Sequence, residues 1–461
     1  MGTFNKNSLF LYTFMNILLI NPWIYDFAAY DLWLKPLGLL RIASFLEKFE
    51  HKIFLINCLD RNHPLLKEQY EKLPSEQAYD CGKFFSQEVK KPFFLKNAPR
   101  KYKRYGIPLK IFEEDLCRVT PPDAIGVTSG MTYWYPGVFE VIKRVKEKFP
   151  SVPVILGGIY ATLCWEHALK HSKADHVIKG RGEIAILKIL DKIKGVKRNY
   201  SKIFSSKTTK DLFPAYHLLS HPKSVAILTS RGCPFRCSYC ASYLLENCFT
   251  QNKPEKVLKK MSYYLKEFGI KDIVFYDDAL LANAQKHIIP ILEGIIKKFK
   301  GKIRFHTPNG LHIKFIDKRI AKLLYAANFT TIRLSFESTD PEIQKNSSNK
   351  TSKKDLIKTI KNLTDAGYKK EDLGVYIMVG LPHQKIKEVI KTIEFVHKQG
   401  AKVKIAQFSP IPGTLAFAQA LKKYSPSLKE EPLLQNNSIF YLWNKEITYE
   451  VLSQIKNLAK K

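Results

Sequence analysis

Eleven short apolar runs alternating with amphipathic stretches limit this chain to an α/β fold. Five lie in the first half: Asn16–Ile20, Lys52–Ile56, Asp123–Thr128, Val152–Leu156 and Ala174–Ile178. Helical patterns near Leu37–Phe49, Gly137–Lys148 and His167–His171 intervene, giving a doubly wound, Rossmann-like pattern with ligands expected at the carboxyl ends of the strands. Six more runs follow: Val225–Ser230, Asp272–Tyr276, Lys302–His306, Thr330–Phe336, Leu373–Val379 and Val403–Phe408. Helical patterns near Pro254–Phe268, Asn283–Lys298, Asp317–Ala327, Ser352–Ala366 and Lys385–Gln399 separate them. That alternation implies a second parallel sheet, which right-handed crossovers curl toward a barrel. A length of 461 residues accommodates two domains with full cores.

The segment Cys233-Pro234-Phe235-Arg236-Cys237-Ser238-Tyr239-Cys240 follows the first strand of the second half. Three thiols at this spacing on one tight loop suit an iron–sulfur cluster. Three protein ligands to a four-iron cluster leave one iron open to a substrate. Structural zinc ordinarily wants a second ligand pair; Cys248 is the nearest further thiol, at an awkward spacing. Reduced core cysteines rarely crowd onto such a turn. The other five of the eight cysteines are scattered, which argues against a disulfide framework. Cys58, Cys81, Cys117 and Cys164 read as ordinary core or loop thiols.

This loop, placed after a strand, resembles the cluster loop of the radical S-adenosylmethionine (radical SAM) superfamily. The resemblance implies a partial (β/α)6 barrel over residues 220–415, with Cys233, Cys237 and Cys240 as metal ligands and Tyr239 against the cluster and adenine. It also implies that SAM chelates the open iron and is cleaved to a 5′-deoxyadenosyl radical. An electron donor such as flavodoxin or ferredoxin would serve the cluster. Polar groups recur at the later strand ends in the family's order. Asp277 and Asp278 match the region of the SAM amino end, and Asn309 follows the third strand. Ser335 and Glu337 match the S/G-x-E-S segment near ribose and methionine, and Gly380 lies where backbone approaches adenine. Ser409–Thr414 resembles the P-x-P-G-T turn. One departure is that Gly380-Leu381-Pro382-His383-Gln384-Lys385 stands where relatives often read G-L-P-G-E-T. No catalytic residue beyond the cofactor contacts is assigned.

In the first half, Ile20-Asn21-Pro22, Pro36–Leu40, Gly157–Thr162 and Gly180-Arg181-Gly182-Glu183 resemble the cobalamin-binding domain of cobalamin-dependent radical SAM enzymes. The positions matching the corrin and nucleotide-tail segments are Ser129, Gly130, Met131, Thr132, Gly157 and Gly158. The axial-histidine signature D-x-H-x-x-G is missing, Tyr160 replaces a frequent His, and Arg181 replaces an acid. Cobalamin is therefore expected without a protein axial ligand. The fold alone would also suit a domain that lacks the corrin. Residues 61–121 are too long for a plain connection and read as a lid, a substrate element or a solvated excursion. Met131–Tyr135 suits either core packing or corrin stacking, with a lean to the latter.

The expected organisation is a cobalamin-binding-like domain over 15–200, the radical SAM barrel over 220–415 and a Lys-rich helical tail over 416–461. The expected chemistry is radical cleavage of SAM and methylation of an unactivated carbon of a small molecule. Cyclisation and ring contraction are the options beside it. A net charge of +33 invites a nucleic-acid partner, but Lys outnumbers Arg severalfold and is spread along the chain, which disfavours one. Two further readings are weighed. An RNA-modifying methylthiotransferase would need a second cluster on Cys58, Cys81 and Cys117, whose surroundings do not match. A non-catalytic cluster or nucleic-acid-binding protein would leave SAM unbound. No run reaches membrane-spanning length. Leu9–Ile20 has a weak signal-peptide look, yet it contains the first strand, and Met15 reads as a natural start. A cytoplasmic protein of an anaerobe is expected, because an exposed cluster iron is oxygen-labile.

Overall fold

Both faces of the first strand, β1 (Asn16–Asn21), are buried, which explains its unbroken apolar run. Leu18 and Ile20 point into one core with Ile125, Val127, Val138 and Val141. Ile17 and Leu19 point into another with Leu39, Ala43, Phe45, Leu187 and Leu190. Each such side chain contributes about 1.5–3 kcal/mol by leaving water. The computed structural model describes residues 14–205, 212–220, 222–299, 301–347, 351–444 and 446–460. The suggested upstream segment before Met15 lies almost wholly outside them. The chain forms two compact units that divide at Pro222/Lys223.

In the first unit β1 lies beside β2 (Lys52–Asn57) and β3 (Ala124–Val127), with β4 (Val154–Leu156) and β5 (His176–Val177) beyond β3. All four pairings are parallel and the order is β5-β4-β3-β1-β2. Strand order reverses between β1 and β3, so the crevice at their carboxyl ends is the expected ligand position. The segment 61–121 is neither a loose excursion nor a bare loop. Its strands Lys103–Tyr105 and Ser86–Glu88 join Ile24–Asp26 in a small antiparallel sheet. Trp23 donates from its indole to the Ile107 carbonyl (2.6 Å), and Trp33 to that of Tyr79 (2.6 Å). Arg61 pairs with Asp31 (2.8 Å) and Asp80 (3.4 Å), and Lys35 with Asp80 (3.0 Å).

Among the described residues the parallel sheet of the second unit runs in chain order through β6 (Ser224–Ile227), β7 (Asp272–Phe275), β8 (Arg304–His306), β9 (Phe329–Glu337), β10 (Leu373–Val379) and β11 (Lys402–Gln407), with the short strand Leu311–His312 also paired to β9. Sequential order in one parallel sheet is the arrangement that curls into a partial barrel. The pairings leave β6 and β11 as its edges. The helix expected near Asn283–Lys298 begins only at Ile288. Pro290 is tolerated in a first turn but would clash inside a helix begun at Asn283, whose own φ is +52°. The described residues of the expected tail include helices Leu415–Lys423 and Tyr449–Leu458 and belong to this unit rather than standing apart. Phe408, Ala416, Phe417, Ala420 and Leu428 share a core with Met378 and Leu381.

His51, at the amino end of the first sheet, is 4% exposed, and neither ring nitrogen has a hydrogen-bond partner. Burial lowers its pKa from 6.5 to about 4, with the Arg198 charge adding. Between those values the unfolded chain binds a proton that the folded one refuses, so stability falls as pH drops from about 6.5 toward 4. The effect reaches at most about 3 kcal/mol. Urea unfolding at pH 7 and pH 5 should show this loss, and His51→Phe should flatten that part of the decline.

Candidate functional site

The cluster loop crosses the carboxyl ends of the barrel strands and is tied down along its length. Gly232 enters it at φ +70°, and a Cβ there would stand 2.7 Å from the Cys248 carbonyl oxygen. Ser230–Arg231 pairs with Thr250–Gln251, and Arg231 meets Glu246 at 3.6 Å. Phe235 packs on His312 at 4.6 Å between ring centroids. Ser238 donates its N–H to the Asn346 carbonyl (2.9 Å) and accepts from the Ala416 N–H (2.9 Å). Cys237 is buried, with its Sγ 3.6 Å from the Ser347 carbonyl oxygen. Cys233 and Cys240 are partly exposed.

Electrostatically the three thiols form one group. Burial pushes Cys233 up to about 11, the Phe235 N–H opposes, and Asp278, Cys240 and Cys237 push it further. Cationic iron reverses that balance, since a metal displaces the thiol proton. Cys58 is governed by burial, Asp115 and Arg104, and Cys81 by burial, Asp31, Asp80 and Arg61; neither has another thiol among its main neighbours. Among the described residues no three His, Cys, Asp or Glu side chains converge enough to chelate one metal ion. The loop thiols are thus grouped more loosely than in a single-ion site. Soft donors on one anchored loop suit an iron–sulfur cluster.

Asp277 and Asp278 diverge at the end of β7. Asp277 is 3% exposed, and four donors converge on its carboxylate: the N–H groups of Thr229 (3.0 Å) and Ser230 (2.6 Å) and their hydroxyls (2.7 and 2.5 Å). The Thr229 hydroxyl also lies 2.9 Å from His287 Nε2. Asp277 therefore braces the backbone leading into the cluster loop. Asp278 is exposed yet set deeply enough that desolvation raises its pKa, with a Ser242 hydrogen bond opposing.

Asn309 is exposed, and its amide donates to the Tyr276 carbonyl (3.0 Å) across the end of β7. Ser335 is buried, and its hydroxyl fills the space a Cβ on Gly310 would need. Glu337 is 7% exposed at φ +71°, after a register shift between β9 and β10. Non-glycine residues hold that conformation only where their surroundings impose it, most often at functional sites. Glu337 is the charge that acts most on Tyr239, so it faces the cluster loop. Gly380 has φ +98°, and the Phe440 ring lies 2.7 Å from where its Cβ would be. The departure after Gly380 explains itself locally. His383 takes φ +68°, the conformation that favours glycine there in relatives. Gln384 Oε1 accepts from the N–H groups of Gly380 (2.9 Å) and Leu381 (3.3 Å), while its Nε2 donates to the Met378 carbonyl (2.9 Å).

In the first unit Ser129, after β3, is 3% exposed and its hydroxyl links two loops. It donates to the Gly157 carbonyl (2.8 Å) and accepts from the Tyr160 N–H (3.1 Å). Gly158, at φ +96°, lies so close that a Cβ would stand 2.6 Å from the Ser129 backbone. Gly157 has open space where its Cβ would be, so backbone is bared at the end of β4. Gly130 abuts the Trp134 ring, and Thr132 is buried in the turn Thr132–Trp134. The aromatic run is engaged in packing: Tyr133 is 3% exposed, Trp134 donates to Asp26 (2.9 Å), and Tyr135 stacks on Tyr160 at 5.5 Å. A bared glycine beside a close-packed serine loop at the switch point suits the flat edge and tail of a corrin. Thr229, Ser230, Ser347, Gln384 and Phe440 emerge only in three dimensions. A buried carboxylate ending a strand was the one available signal, and it pointed to Asp277 rather than to the residues it holds.

The family model of the Radical SAM superfamily matches residues 227–396, and that of the B12 binding domain matches residues 112–190. An uncharacterized methyltransferase of Pyrococcus horikoshii is 25% identical over 372 residues, covering 73% of this chain and 75% of that protein. An anaerobic magnesium-protoporphyrin IX monomethyl ester cyclase of Cereibacter sphaeroides is 22% identical over 250 residues, 48% of this chain and 41% of that one. The solved structure of the radical S-adenosylmethionine methyltransferase TsrM from Kitasatospora setae, with cobalamin and a 4Fe–4S cluster bound, superposes with a TM-score of 0.62. It is 15% identical, covers 89% of this chain and 76% of its own, and so speaks to the fold.

Two substitutions test these geometries. Asp277→Asn places an amide against donors and should lower the iron and sulfide retained per chain after anaerobic reconstitution, with far-ultraviolet circular dichroism unchanged. Gln384→Glu removes the donor to the Met378 carbonyl and should cost about 1–3 kcal/mol in thermal unfolding.

Proposed function

The chain belongs to the radical SAM superfamily, in the subgroup that carries a B12-binding domain, and on that premise we propose that it methylates an unactivated carbon of a small molecule. Its cofactors are a 4Fe–4S cluster, SAM and cobalamin. When bound, the cluster supplies the electron that cleaves SAM to a 5′-deoxyadenosyl radical, and cobalamin carries the methyl group. The observation that carries the reading is the pairing of two strand-end sites: three thiols braced over one parallel sheet, and a serine–glycine cradle on the other.

The chain's own residues have distinct tasks. Cys233, Cys237 and Cys240 hold the cluster, and Asp277, through Thr229 and Ser230, fixes the loop's entry. Asn309, Ser335 and Glu337 are assigned to SAM, and Tyr239 to its adenine side. Gly380, with its turn held by Gln384, offers backbone to the adenine. Ser129, Gly130, Thr132, Gly157 and Gly158 form the corrin side. No described histidine follows β1 in the D-x-H-x-x-G pattern, so corrin would be held by these loops without that ligand. Methyl transfer draws support from the methyltransferase relative, and ring closure, the second reading, from the cyclase. A reduced flavodoxin or ferredoxin is the proposed electron source, and the cytoplasm of an anaerobe the proposed setting. Among the described residues no helix is long and apolar enough to cross a membrane.

Anaerobic purification with cobalamin supplied should give a corrin optical spectrum and one four-iron cluster per chain. Reductant and SAM should yield 5′-deoxyadenosine. Cys237→Ala should abolish the iron and the 5′-deoxyadenosine while the corrin spectrum stays. Protein that takes up no corrin under these conditions would remove methyl transfer and leave the radical chemistry.

A further inference from the structure

The inner wall of the barrel carries cations that the cofactor site does not use. Phe336 of β9 packs outward on Phe395 of helix Ile386–Lys398, so its alternate residues Arg333 and Ser335 face inward. The Arg333 guanidinium lies across β10, 2.8 Å from where a Cβ on Gly374 would be. Gly374 and Tyr376 therefore share that inner face. Lys404 of β11 is the register partner of Tyr376, which is itself the partner of Ser335. Arg333 and Lys404 thus converge from strands two apart, about 10 Å in backbone, well within the reach of two long side chains.

Neither cation has an ion-pair partner among the described residues; Arg333 donates to the adjacent Ile332 carbonyl at 3.2 Å and hydrogen-bonds the neutral Tyr376 side chain. Arg304 of β8, by contrast, is neutralised: it grips Asp272 with two bonds of 2.7 and 2.8 Å. Burial lowers the pKa of Lys404, and the like charges of Arg333 and Lys402 add to it. Tyr376 stands between Arg333 and Glu337, responding to both, with its hydroxyl fixed on the Pro308 carbonyl (2.7 Å). Arg333 accordingly lies one rung below Ser335, and Lys404 stands level with Ser335 across β10. Lys404 sits on an edge strand, beside the seam where β6 and β11 do not pair.

We propose that Arg333 and Lys404 form an oxyanion-binding site inside the barrel that holds a carboxylate or phosphate group of the substrate. The inference rests on the radical SAM reading above and adds to it a substrate class: a small molecule whose anionic end lies deep in the barrel and whose reacting carbon points up toward SAM. Arg333 supplies the planar fork that matches a carboxylate or phosphate, and Lys404 a point charge at the open seam.

Like charges held together without a ligand destabilise the free protein, and a bound anion reverses the effect. The test is thermal unfolding of the anaerobically reconstituted enzyme at low salt, with and without inorganic phosphate, and in parallel with succinate. Because a chain of net charge +33 takes up anions everywhere, the readout is the difference from variants. Lys404→Met should raise the melting temperature of the anion-free protein. Arg333→Gln and Lys404→Met should each weaken stabilisation by at least one of the two anions tenfold or more in midpoint concentration. The exposed Lys266→Gln should leave it unchanged. The anion that shows the difference identifies phosphate or carboxylate as the preferred group. Equal anion responses in all four proteins would overturn the proposal. So would loss of the SAM-induced change in the reduced cluster's paramagnetic resonance in Arg333→Gln, which would assign the pair to SAM's own carboxylate. Failure of the wild type to make 5′-deoxyadenosine would count against the radical SAM reading alone, since the anion measurements need no turnover.

Discussion

A single buried carboxylate organises the approach to the cluster. Asp277 ends β7, but its partners belong to the backbone leaving β6, where the chain must turn from a parallel strand into a loop that crosses the barrel mouth. The N–H groups of Thr229 and Ser230 are lost to the sheet at that turn. Left unpaired and buried, each would cost about 1–3 kcal/mol. Asp277 satisfies both, and the hydroxyls of the same residues complete the cage. The loop beyond them is then restrained elsewhere, by Phe235 on His312 and by Ser238 between Asn346 and Ala416. Cys233, Cys237 and Cys240 inherit their placement from these contacts.

The same logic governs the first unit with a different residue. There the close approach is backbone to backbone, and Ser129 with Gly158 makes it. The serine hydroxyl bridges the ends of β3 and β4, and only a glycine at position 158 lets the two loops touch. The consequence is a bared Gly157 beside a rigid turn. Both sites thus rest on buried polar groups that satisfy strand-end backbone, leaving the outward-facing atoms for a ligand. Part of the small antiparallel sheet, Ile24–Asp26, follows directly on β1, so the 61–121 segment is built onto the ligand-bearing end of this sheet. That position gives the segment a reason to be ordered.

Much of this was legible in the chain. The short apolar runs alternating with amphipathic stretches announce two parallel sheets, because strands buried on both faces read as unbroken apolar runs and the crossover helices between them as half-apolar ones. Three cysteines on one loop announce a metal cluster because no other common use crowds them so. Side-chain commitments were not legible. Asp277 reads as a strand-end ligand, yet its carboxylate is turned inward to Thr229 and Ser230, and nothing local distinguishes it from Asp278, which faces solvent. Trp134 and Tyr133 suit either core or a stacking surface in sequence, with the lean to stacking, and the hydrogen bond of Trp134 to Asp26, 108 residues away, together with the burial of Tyr133, engages them in packing instead. The helix start at Ile288 was missed because the apolar period extends upstream, while Pro290 forbids the earlier turn.

The turn after β10 shows how a departure from a family pattern can preserve its geometry. Relatives often place a glycine and an acid where this chain has His383 and Gln384. A left-handed histidine pays a conformational cost of about 1 kcal/mol that glycine avoids. The amide recovers it: its oxygen accepts the two N–H groups an acid would, and its nitrogen adds a bond to the Met378 carbonyl that no carboxylate could make. The exchange also removes a negative charge from the rim of a barrel whose inner wall already leaves Arg333 and Lys404 unneutralised. An acid at that rim would repel an anion approaching the proposed Arg333 and Lys404 site, and the neutral amide does not.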